Sequence, residues 1–525
     1  MEKKPIKVAV SVLADISLGI YRTPANAIKE LISNAFDADA SKVVISTGYP
    51  NFYVITCRDD GIGLESTEFE EIMSKIGGSS KRKNNKQYTK NGRPIIGKIG
   101  IGILAVAQIC KKFTLISSKK DSSFKFEAVV DFSELDSDKA KNVSLGSEEA
   151  KEIGTYVITT GLPEDPNKHY TKIILEDIDK GFRKKLSKND SLDKSIAGFK
   201  HSNRDPNAIK EFVNWLSRTD VRNIPDYYRL IWELSITCPL QYFNGGPILN
   251  EDIISARKKE LTDFNFSVEI DGLNLQKLIL FPNSPEIKDN GIDYKVYPID
   301  FNEMVHGKRL SFTGYIYHQR KSIYPSELRG LLIRVRNVAI GTYDKSLLNY
   351  PKPQGPRMSG ISGEIYIMEG LEDALNVDRN SFRETDPHYI KLQEIIYSRL
   401  GGDPENKTPG IFSDITKRSL EWNLARKKND LIDSYKALTN SLESITHKKF
   451  EIEISSENSP IKPIEINFST GKIKINEQHE IFPRNREERS ILEKILIAYE
   501  YSNEFSLTKE SVRDEFYNCL RGLQK

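Results

Sequence analysis

A glycine-rich segment constrains the fold of this 525-residue chain more than any other feature. It reads Gly97-Lys98-Ile99-Gly100-Ile101-Gly102 and leads into the apolar stretch Ile103 to Cys110, which predicts a helix. Glycine lets the backbone come close to a ligand, and the N–H groups at a helix N-terminus favour negative charge. The segment therefore predicts a phosphate-binding turn, although it is neither a Gly-x-Gly-x-x-Gly motif nor a Walker A motif, in which Gly-Lys-Ser/Thr follows.

A predicted helix, Ala25 to Asp37, carries three polar residues on one face. Glu30, Asn34 and Asp37 are four and three positions apart, and this spacing places their side chains on the same side of a helix. Small residues surround them in the string KELISNAFDADA. Such a face indicates either an ordinary solvated surface or the polar wall of a binding site.

An acidic turn follows a predicted strand. The residues are Asp59-Asp60-Gly61-Ile62-Gly63, and the two glycines allow a sharp turn close to a ligand. A carboxylate at the end of a strand can accept a hydrogen bond from an amino group such as that of adenine. The alternative is a plain tight turn, because Asp-Gly is a common turn dipeptide.

Taken together, the three elements resemble the motifs of the gyrase, heat-shock-chaperone, histidine-kinase and MutL (GHKL) superfamily of ATPases. The first motif, Glu-x-x-x-Asn-x-x-Asp-Ala, is matched by Glu30, Asn34, Asp37 and Ala38. The second, Asp-x-Gly-x-Gly, is matched by Asp59, Gly61 and Gly63. The third, Gly-x-x-Gly-x-Gly, is matched by Gly97, Gly100 and Gly102. The resemblance covers about the first third of the chain and implies ATP and Mg²⁺ as cofactors.

The resemblance also implies roles for individual residues. Glu30 is expected to be the general base that activates water, Asn34 the Mg²⁺ ligand and Asp59 the residue that reads adenine. The glycine-rich segment, with Lys98, Ile99 and Ile101 between its glycines, is expected to bind the phosphates. The family places a threonine beside the adenine, and Thr171 is the first candidate for it. In the family a glycine usually precedes this threonine, whereas Tyr170 precedes Thr171 here. Thr155, which does follow a glycine, stays an alternative.

A basic stretch occupies the position of the family's ATP lid. Between Ile72 and Lys120 the chain has twelve Lys or Arg residues and no Asp or Glu. This stretch is either a solvated loop or a lid over residues 77–96, and the resemblance favours the lid. It adds four candidate nucleotide-binding residues: Gly77, Gly78, Ser79 and Ser80.

The predicted fold class is α+β. Strands and helices alternate over 1–185, which indicates an α+β sandwich, and the GHKL resemblance implies that it is an ATP-binding domain of the Bergerat type. An α/β transducer-like domain of the S5 type is predicted over 207–400. A mixed region of helices and small strands is predicted over 410–525, with dimerisation or partner binding as its suggested role.

Two basic residues of the second domain are candidates for contacting the γ-phosphate. The string VDRNSFRETDP resembles a middle-domain segment of the ninety-kilodalton heat-shock chaperones, and Arg379 is the matching position. Lys321 is the second candidate. The alternative for Arg379 is an ordinary surface arginine.

Composition excludes several other classes of protein. The four cysteines form no CxxC pair, so neither a zinc site nor a disulfide framework is expected. This cysteine usage favours a cytoplasmic location. No apolar run is long enough to span a bilayer, and the net charge of +3 does not by itself indicate nucleic-acid binding.

The expected function is therefore that of a Mg²⁺-dependent ATPase switch. Presence of Glu30 favours hydrolysis over transfer of phosphate to a histidine. The resemblance implies a homodimer on ATP binding, with duplex DNA or a separate effector protein, as in bacterial antiviral defence, as candidate partners. A chaperone-like remodeller of proteins and a non-hydrolysing ATP-binding scaffold stay open as alternatives.

Overall fold

The computed structural model describes residues 24–74, 88–97, 102–132, 154–187, 225–243, 252–277, 294–324, 326–352, 354–376, 380–403, 407–455, 462–476, 478–483 and 485–505, with single positions between 511 and 519. The chain divides into two compact units, Met1–Phe412 and Ser413–Lys525. In the described part of the chain, no helix is both long and apolar enough to cross a membrane.

The first unit begins with a sheet of eight strands. They are β1 (Lys42–Ser46), β2 (Ile55–Asp59), β3 (Cys110–Ser118), β4 (Phe124–Asp131), β5 (Thr155–Pro163), β6 (Tyr170–Ile178), β7 (Ser267–Ile270) and β8 (Leu273–Asn274). Their order in the sheet is β5-β4-β3-β6-β2-β1-β7-β8. Neighbours pair antiparallel except β1 and β7, which are parallel.

Helix α1 (Pro24–Asp37) shows why this sequence forms a helix here. Proline suits the first position because a helix leaves its first N–H groups unpaired. The helix ends where Asp39 adopts a left-handed conformation with φ 58° and Ala40 N donates to Ala35 O at 3.1 Å, a common helix ending. Its apolar face is buried: Ala27, Ile28, Leu31, Ile32, Ala35 and Phe36.

Further helices accompany this sheet. They are α2 (Ser66–Ser74), a 3-10 helix (Gly102–Gln108), α3 (Lys180–Leu186), α4 (Asp226–Thr237) and α5 (Asp252–Asp263). Helix α1 packs against the 3-10 helix and against α4. The helix predicted from Ile103 to Cys110 is a 3-10 helix from Gly102 to Gln108, and Cys110 already belongs to β3.

The second sheet has five strands. They are β9 (Tyr294–Val305), β10 (Lys308–Gln319), β11 (Gly330–Val335), β12 (Val338–Asp344) and β13 (Ile361–Glu369), in the order β12-β11-β13-β10-β9. A 3-10 turn (Ser326–Leu328), α6 (Pro356–Ser359) and α7 (Pro387–Gly401) accompany them, and β14 (Gly402–Asp403) pairs with β15 (Thr408–Pro409). One hydrophobic core contains residues of both sheets, such as Ile45 of β1 and Tyr366 of β13.

Strand β7 lies in the first sheet, although it falls inside the range 207–400 predicted for the second domain. Contacts between β1 and β7 join residues about 225 positions apart, and such long-range pairing leaves no local signal in a sequence. Residues 188–224, where the boundary between the two predicted domains falls, lie outside the described residues.

The second unit has its own core. Helix α8 (Ile411–Thr446) leads into it, followed by β16 (Glu451–Ser455), β17 (Ile464–Asn467), β18 (Lys472–Asn476) and α9 (Arg486–Phe505). The three strands form one sheet in the order β16-β18-β17. Leu442 and Phe450 are buried with residues of β18 and α9, whereas Leu424 of the same helix is exposed.

Candidate functional site

Asp59 is the buried carboxylate at the end of β2. It is 9% exposed, and its Oδ1 accepts a hydrogen bond from Gly61 N at 2.9 Å. Burial is the main reason why its pKa is raised to about 6, and the neighbouring Asp60 adds to the effect. The amides of Gly61 and Thr171 counteract the shift only in part, so Asp59 retains a demand for further donors.

Asp60 has a different task from its neighbour. Its carboxylate accepts from Ser41 N at 2.7 Å, Ser41 Oγ at 2.5 Å and Lys42 N at 2.8 Å. Burial opposes ionisation of Asp60, but these hydrogen bonds outweigh it and lower the pKa. Asp60 therefore fixes the start of β1 against the acidic turn.

The two glycines of the acidic turn are required by close packing. A Cβ on Gly61 would lie 2.8 Å from Ala38 O and 2.9 Å from Ala38 Cβ, so the turn fits only a small residue at the end of α1. Gly63 has φ +68°, and a Cβ there would lie 2.0 Å from Ser118 O. Ile62 N also donates to Ala38 O at 2.9 Å. These contacts give Ala38, Gly61 and Gly63 a structural reason for their places in the motifs.

Thr171 lies directly opposite Asp59. The pairing of β2 with β6 aligns the two residues, and Thr171 Oγ1 is 3.1 Å from Ser117 Oγ on β3. Thr155 instead starts β5, where it pairs with Asp131 at the far edge of the sheet. The structure thus brings Thr171, and not Thr155, to Asp59.

Ser117 is a site residue that the sequence did not indicate. Its hydroxyl donates to Tyr170 O at 2.9 Å and accepts from Leu64 N at 2.9 Å. It therefore ties the segment after the acidic turn to β6. Only the strand order, with β3 beside β6, reveals this position.

Helix α1 places the first-motif residues beside the glycine-rich segment. Glu30 is 4% exposed, whereas Asn34, one turn further, is exposed. Asp37 accepts from Ile96 N and Gly97 N, each at 2.7 Å. The first glycine of the third motif is therefore held at the C-terminal end of α1.

The segment before that glycine is anchored by buried polar contacts. Arg93 donates to Ala40 O at 2.6 Å and to Phe264 O at 2.5 Å, and its guanidinium lies 5.0 Å from the ring centroid of Phe36. Burial lowers the pKa of Arg93. Thr89 Oγ1 donates to Asp39 at 2.5 Å. Arg93, the only basic residue of the stretch 88–97 that is buried in the structure, thus serves the fold.

Several predicted site residues lie outside the described residues. They are Gly77, Gly78, Ser79, Ser80, Lys98, Ile99, Gly100, Ile101 and Arg379. Gly102 is the first residue of the 3-10 helix. Lys321 lies just after β10 and is exposed, and its carbonyl accepts from Gln319 Nε2 at 3.1 Å.

The second sheet reaches α1 next to Glu30. Lys29 is buried, and its Nζ is 3.5 Å from Asn380 Oδ1. Gly341 packs against the same residue, because a Cβ there would lie 2.6 Å from Asn380 O. Asn380 directly follows Arg379 in the sequence.

A polar helix face, a buried carboxylate on the adjoining strand and a glycine segment held by the helix end define an ATP-binding α+β domain. A family model agrees: residues 21–160 match the family described as "Histidine kinase-, DNA gyrase B-, and HSP90-like ATPase". The chain therefore contains an ATPase domain of the GHKL superfamily.

Curated relatives match larger or smaller parts of the chain. The "Putative type II restriction enzyme HgiDII" of Herpetosiphon aurantiacus is 21% identical over 86% of this chain and 62% of its own length. The chaperone protein HtpG of Natranaerobius thermophilus is 25% identical over 33% of this chain and 30% of its own length. The DNA mismatch repair protein MutL of Buchnera aphidicola is 27% identical over 30% of this chain and 26% of its own length. The chain thus spans less than two thirds of each of these relatives.

Proposed function

We propose that this protein is an ATP-operated switch that binds ATP with Mg²⁺ and hydrolyses it. The observation that supports this most is the convergence of three motifs on one place. Asp59 faces Thr171 across β2 and β6, and Asp37 holds Gly97 at the end of the helix that carries Glu30 and Asn34.

Adenine is proposed to bind at Asp59. The exocyclic amino group of adenine is a donor, and Asp59 is a buried acceptor whose pKa is raised mainly by that burial. A hydrogen bond from the ligand would stabilise the ionised carboxylate. The hydroxyls of Thr171 and Ser117 lie next to it and offer further polar contacts.

The phosphates are proposed to bind between α1 and the glycine-rich segment. The exposed amide of Asn34 supplies an oxygen, which is the ligand type that Mg²⁺ prefers. A bound Mg²⁺ would neutralise part of the phosphate charge. Backbone N–H groups from Gly97 onward would act as donors to the phosphates.

Glu30 is proposed to orient and activate the attacking water. It lies one helical turn before Asn34, on the same side of α1. A carboxylate in this position can accept the proton of a water as general base. Arg379 is the proposed partner of the γ-phosphate because its neighbour Asn380 lies against Lys29; Lys321 is the second candidate.

The conformational cycle is inferred from the superfamily. ATP would order a lid formed by residues 77–96 and promote a homodimer, and hydrolysis would reset both. A relative that matches 86% of this chain is named as a putative type II restriction enzyme, which favours a role with duplex DNA or with a separate effector, as in antiviral defence. The relatives named as chaperones support the second candidate, a remodeller of client proteins.

Hydrolysis of ATP by the wild type and by Glu30→Gln tests the proposal. Glu70→Gln is the matched control, since Glu70 is an exposed residue of α2. Glu30→Gln should lower kcat by about 100-fold or more, the usual size of a general-base contribution, while the affinity for ATP and the activity of Glu70→Gln stay at the wild-type level.

Two measurements separate the candidate functions. Light scattering in the presence of ATP detects a dimer, and ATP hydrolysis is compared with and without duplex DNA. A dimer that forms with ATP and an activity that rises with DNA would support the DNA-associated switch. Binding of ATP without any hydrolysis would replace it with a scaffold, and absence of ATP binding would overturn the proposal.

A further inference from the structure

The hairpin turn between β11 and β12 touches the segment that leads into the glycine-rich motif. Val335 pairs with Val338, so the turn consists of Arg336 and Asn337 alone. Both have positive φ, 54° and 67°, which is the conformation of a tight two-residue hairpin turn. The turn therefore presents the Arg336 side chain from a fixed backbone.

Arg336 makes two contacts with different parts of the first unit. Its Nη1 donates to the carbonyl oxygen of Ile95, and its Nη2 lies 3.2 Å from Glu372 Oε1. Glu372 is itself held by Gly370 N, which donates to Oε2 at 3.0 Å. The Arg336 side chain is 10% exposed. A guanidinium has a rigid planar fork, so it can hold two acceptors at once.

The neighbouring residues of Ile95 are held from the opposite side. Ile96 N and Gly97 N donate to the two oxygens of Asp37 on α1. The carbonyl of Ile95 thus points to the second sheet, while the next two amides point to the nucleotide-site helix. Ile95, Ile96 and Gly97 are thus held between the second sheet and helix α1, at the start of the glycine-rich motif.

We propose that Arg336 is a positioning residue for the phosphate end of the nucleotide site. By holding Ile95, it fixes the backbone that continues into Gly97, and it makes the position of that backbone depend on the second sheet. Arg336 touches no reacting group and is not a catalytic residue. The part of the inference that concerns nucleotide rests on the proposed function. The contacts of Arg336 with Ile95 and Glu372, which we call the clamp, do not require nucleotide.

Arg336 should therefore affect how tightly the phosphates bind and not how tightly adenine binds. Asp59 and Thr171 are fixed by strand pairing within the first sheet, which does not involve Arg336. Loss of the clamp would leave the adenine end intact and loosen the phosphate end. Because linkage is reciprocal, ATP binding would also tighten the contact of the second sheet with Ile95.

Hydrogen exchange on the nucleotide-free protein tests the clamp without reference to ATP. In Arg336→Ala, the amides of Ile96 and Gly97 should exchange about 10-fold or more faster, because the charged hydrogen bond to the Ile95 carbonyl is lost. Amides of α1 should keep their wild-type rates. The control is Arg309→Ala, which removes an exposed arginine of the same sheet bonded to Asn302. Unchanged exchange at Ile96 and Gly97 would overturn the clamp.

Calorimetry with ATP and with adenosine tests its effect on the site. Arg336→Ala should bind ATP about 10-fold more weakly and adenosine as the wild type does. Arg336→Lys should recover little of the loss, because a lysine cannot hold Ile95 and Glu372 together. An equal loss for both ligands, or none for either, would contradict a role at the phosphate end.

The two experiments separate the two hypotheses. If the wild type binds no ATP, the proposed function fails, while the exchange measurement still decides whether Arg336 holds Ile95. If the wild type binds ATP, but Arg336→Ala shows the same exchange rates as Arg309→Ala and binds ATP as the wild type does, the positioning role fails and the proposed function stands.

Discussion

Two buried carboxylates in the first unit are stabilised in opposite ways. Glu364 on β13 is fully buried, and Arg334 Nε donates a hydrogen bond to it. Its carboxylate also accepts hydrogen bonds from the hydroxyls of Tyr242, Tyr315 and Tyr366, at 2.9, 3.0 and 2.7 Å. Asp59, which is also buried, accepts hydrogen bonds from the backbone amides of Gly61 and Thr171. Burial raises the pKa of both; in Glu364 the charge of Arg334 outweighs it and the pKa is lowered, whereas in Asp59 it is raised to about 6.

The difference separates a structural carboxylate from one suited to binding. Glu364 has a counter-ion and donors supplied by its own chain, so a ligand could offer it little. At Asp59 the charge of the neighbouring Arg58 and the backbone amides offset burial only in part, so this carboxylate would gain from a donor on a ligand. A buried carboxylate that keeps an unmet demand for donors is therefore the better marker of a site.

The largest expected effect tests the structural side of the comparison. Arg334→Met removes the counter-ion and leaves Glu364 buried, which should lower the free energy of unfolding by about 3–5 kcal/mol. Urea denaturation measures the loss. The double variant Arg334→Met/Glu364→Leu should recover part of it, since the carboxylate that Arg334 balances is removed as well. If Arg334→Met unfolds at the wild-type urea concentration, Glu364 does not depend on its counter-ion.

The next effect concerns the pH dependence of Asp59. An acid whose pKa is raised on folding binds more protons in the native state, so its contribution to stability is full below the unfolded pKa of about 4 and is lost as pH rises through about 6. The expected loss is about 3 kcal/mol, from about two pKa units at about 1.4 kcal/mol each.

Unfolding free energies at pH 4 to 7, for the wild type and Asp59→Asn, measure this contribution. The difference between the two proteins should change across that range because the amide does not titrate. A constant difference would mean that the pKa of Asp59 is not raised. Adding adenosine should reduce the change, because a donor to Asp59 stabilises its ionised form.

A smaller effect distinguishes the two threonines. Thr171 lies opposite Asp59, whereas Thr155 lies at the sheet edge. Thr171→Ala should weaken ATP binding by roughly 1 kcal/mol, the usual contribution of one hydrogen bond, and Thr155→Ala should not change it. Calorimetry with both variants compares them directly, and the reverse order of effects would move the adenine end of the site to β5.

The sequence predicted the local parts of this site and not its long-range geometry. Helix α1 was predicted from Ala25 to Asp37, and the structure has it from Pro24 to Asp37. The motif glycines also had a local signal. The helix expected after Gly102 is present as a 3-10 helix, a type that apolar spacing over so few residues does not distinguish from an α-helix.

Residues that meet across strands or sheets had no such signal. Ser117 reaches Thr171 because β3 pairs with β6, and Arg336 reaches Ile95 across 241 positions. The choice between Thr171 and Thr155 was open for the same reason: each begins or nearly begins a strand, and only the register shows which strand lies beside Asp59.

ATP binding by Asp59→Asn and Asp60→Asn tests the central claim most directly. The two residues are adjacent carboxylates, but the oxygens of Asp60 already accept from Ser41 and Lys42. The account predicts that the wild type and Asp60→Asn bind ATP alike, and that Asp59→Asn loses about tenfold or more in affinity, because a charged hydrogen bond is lost. Equal binding by Asp59→Asn and the wild type, or no binding by the wild type, would contradict it.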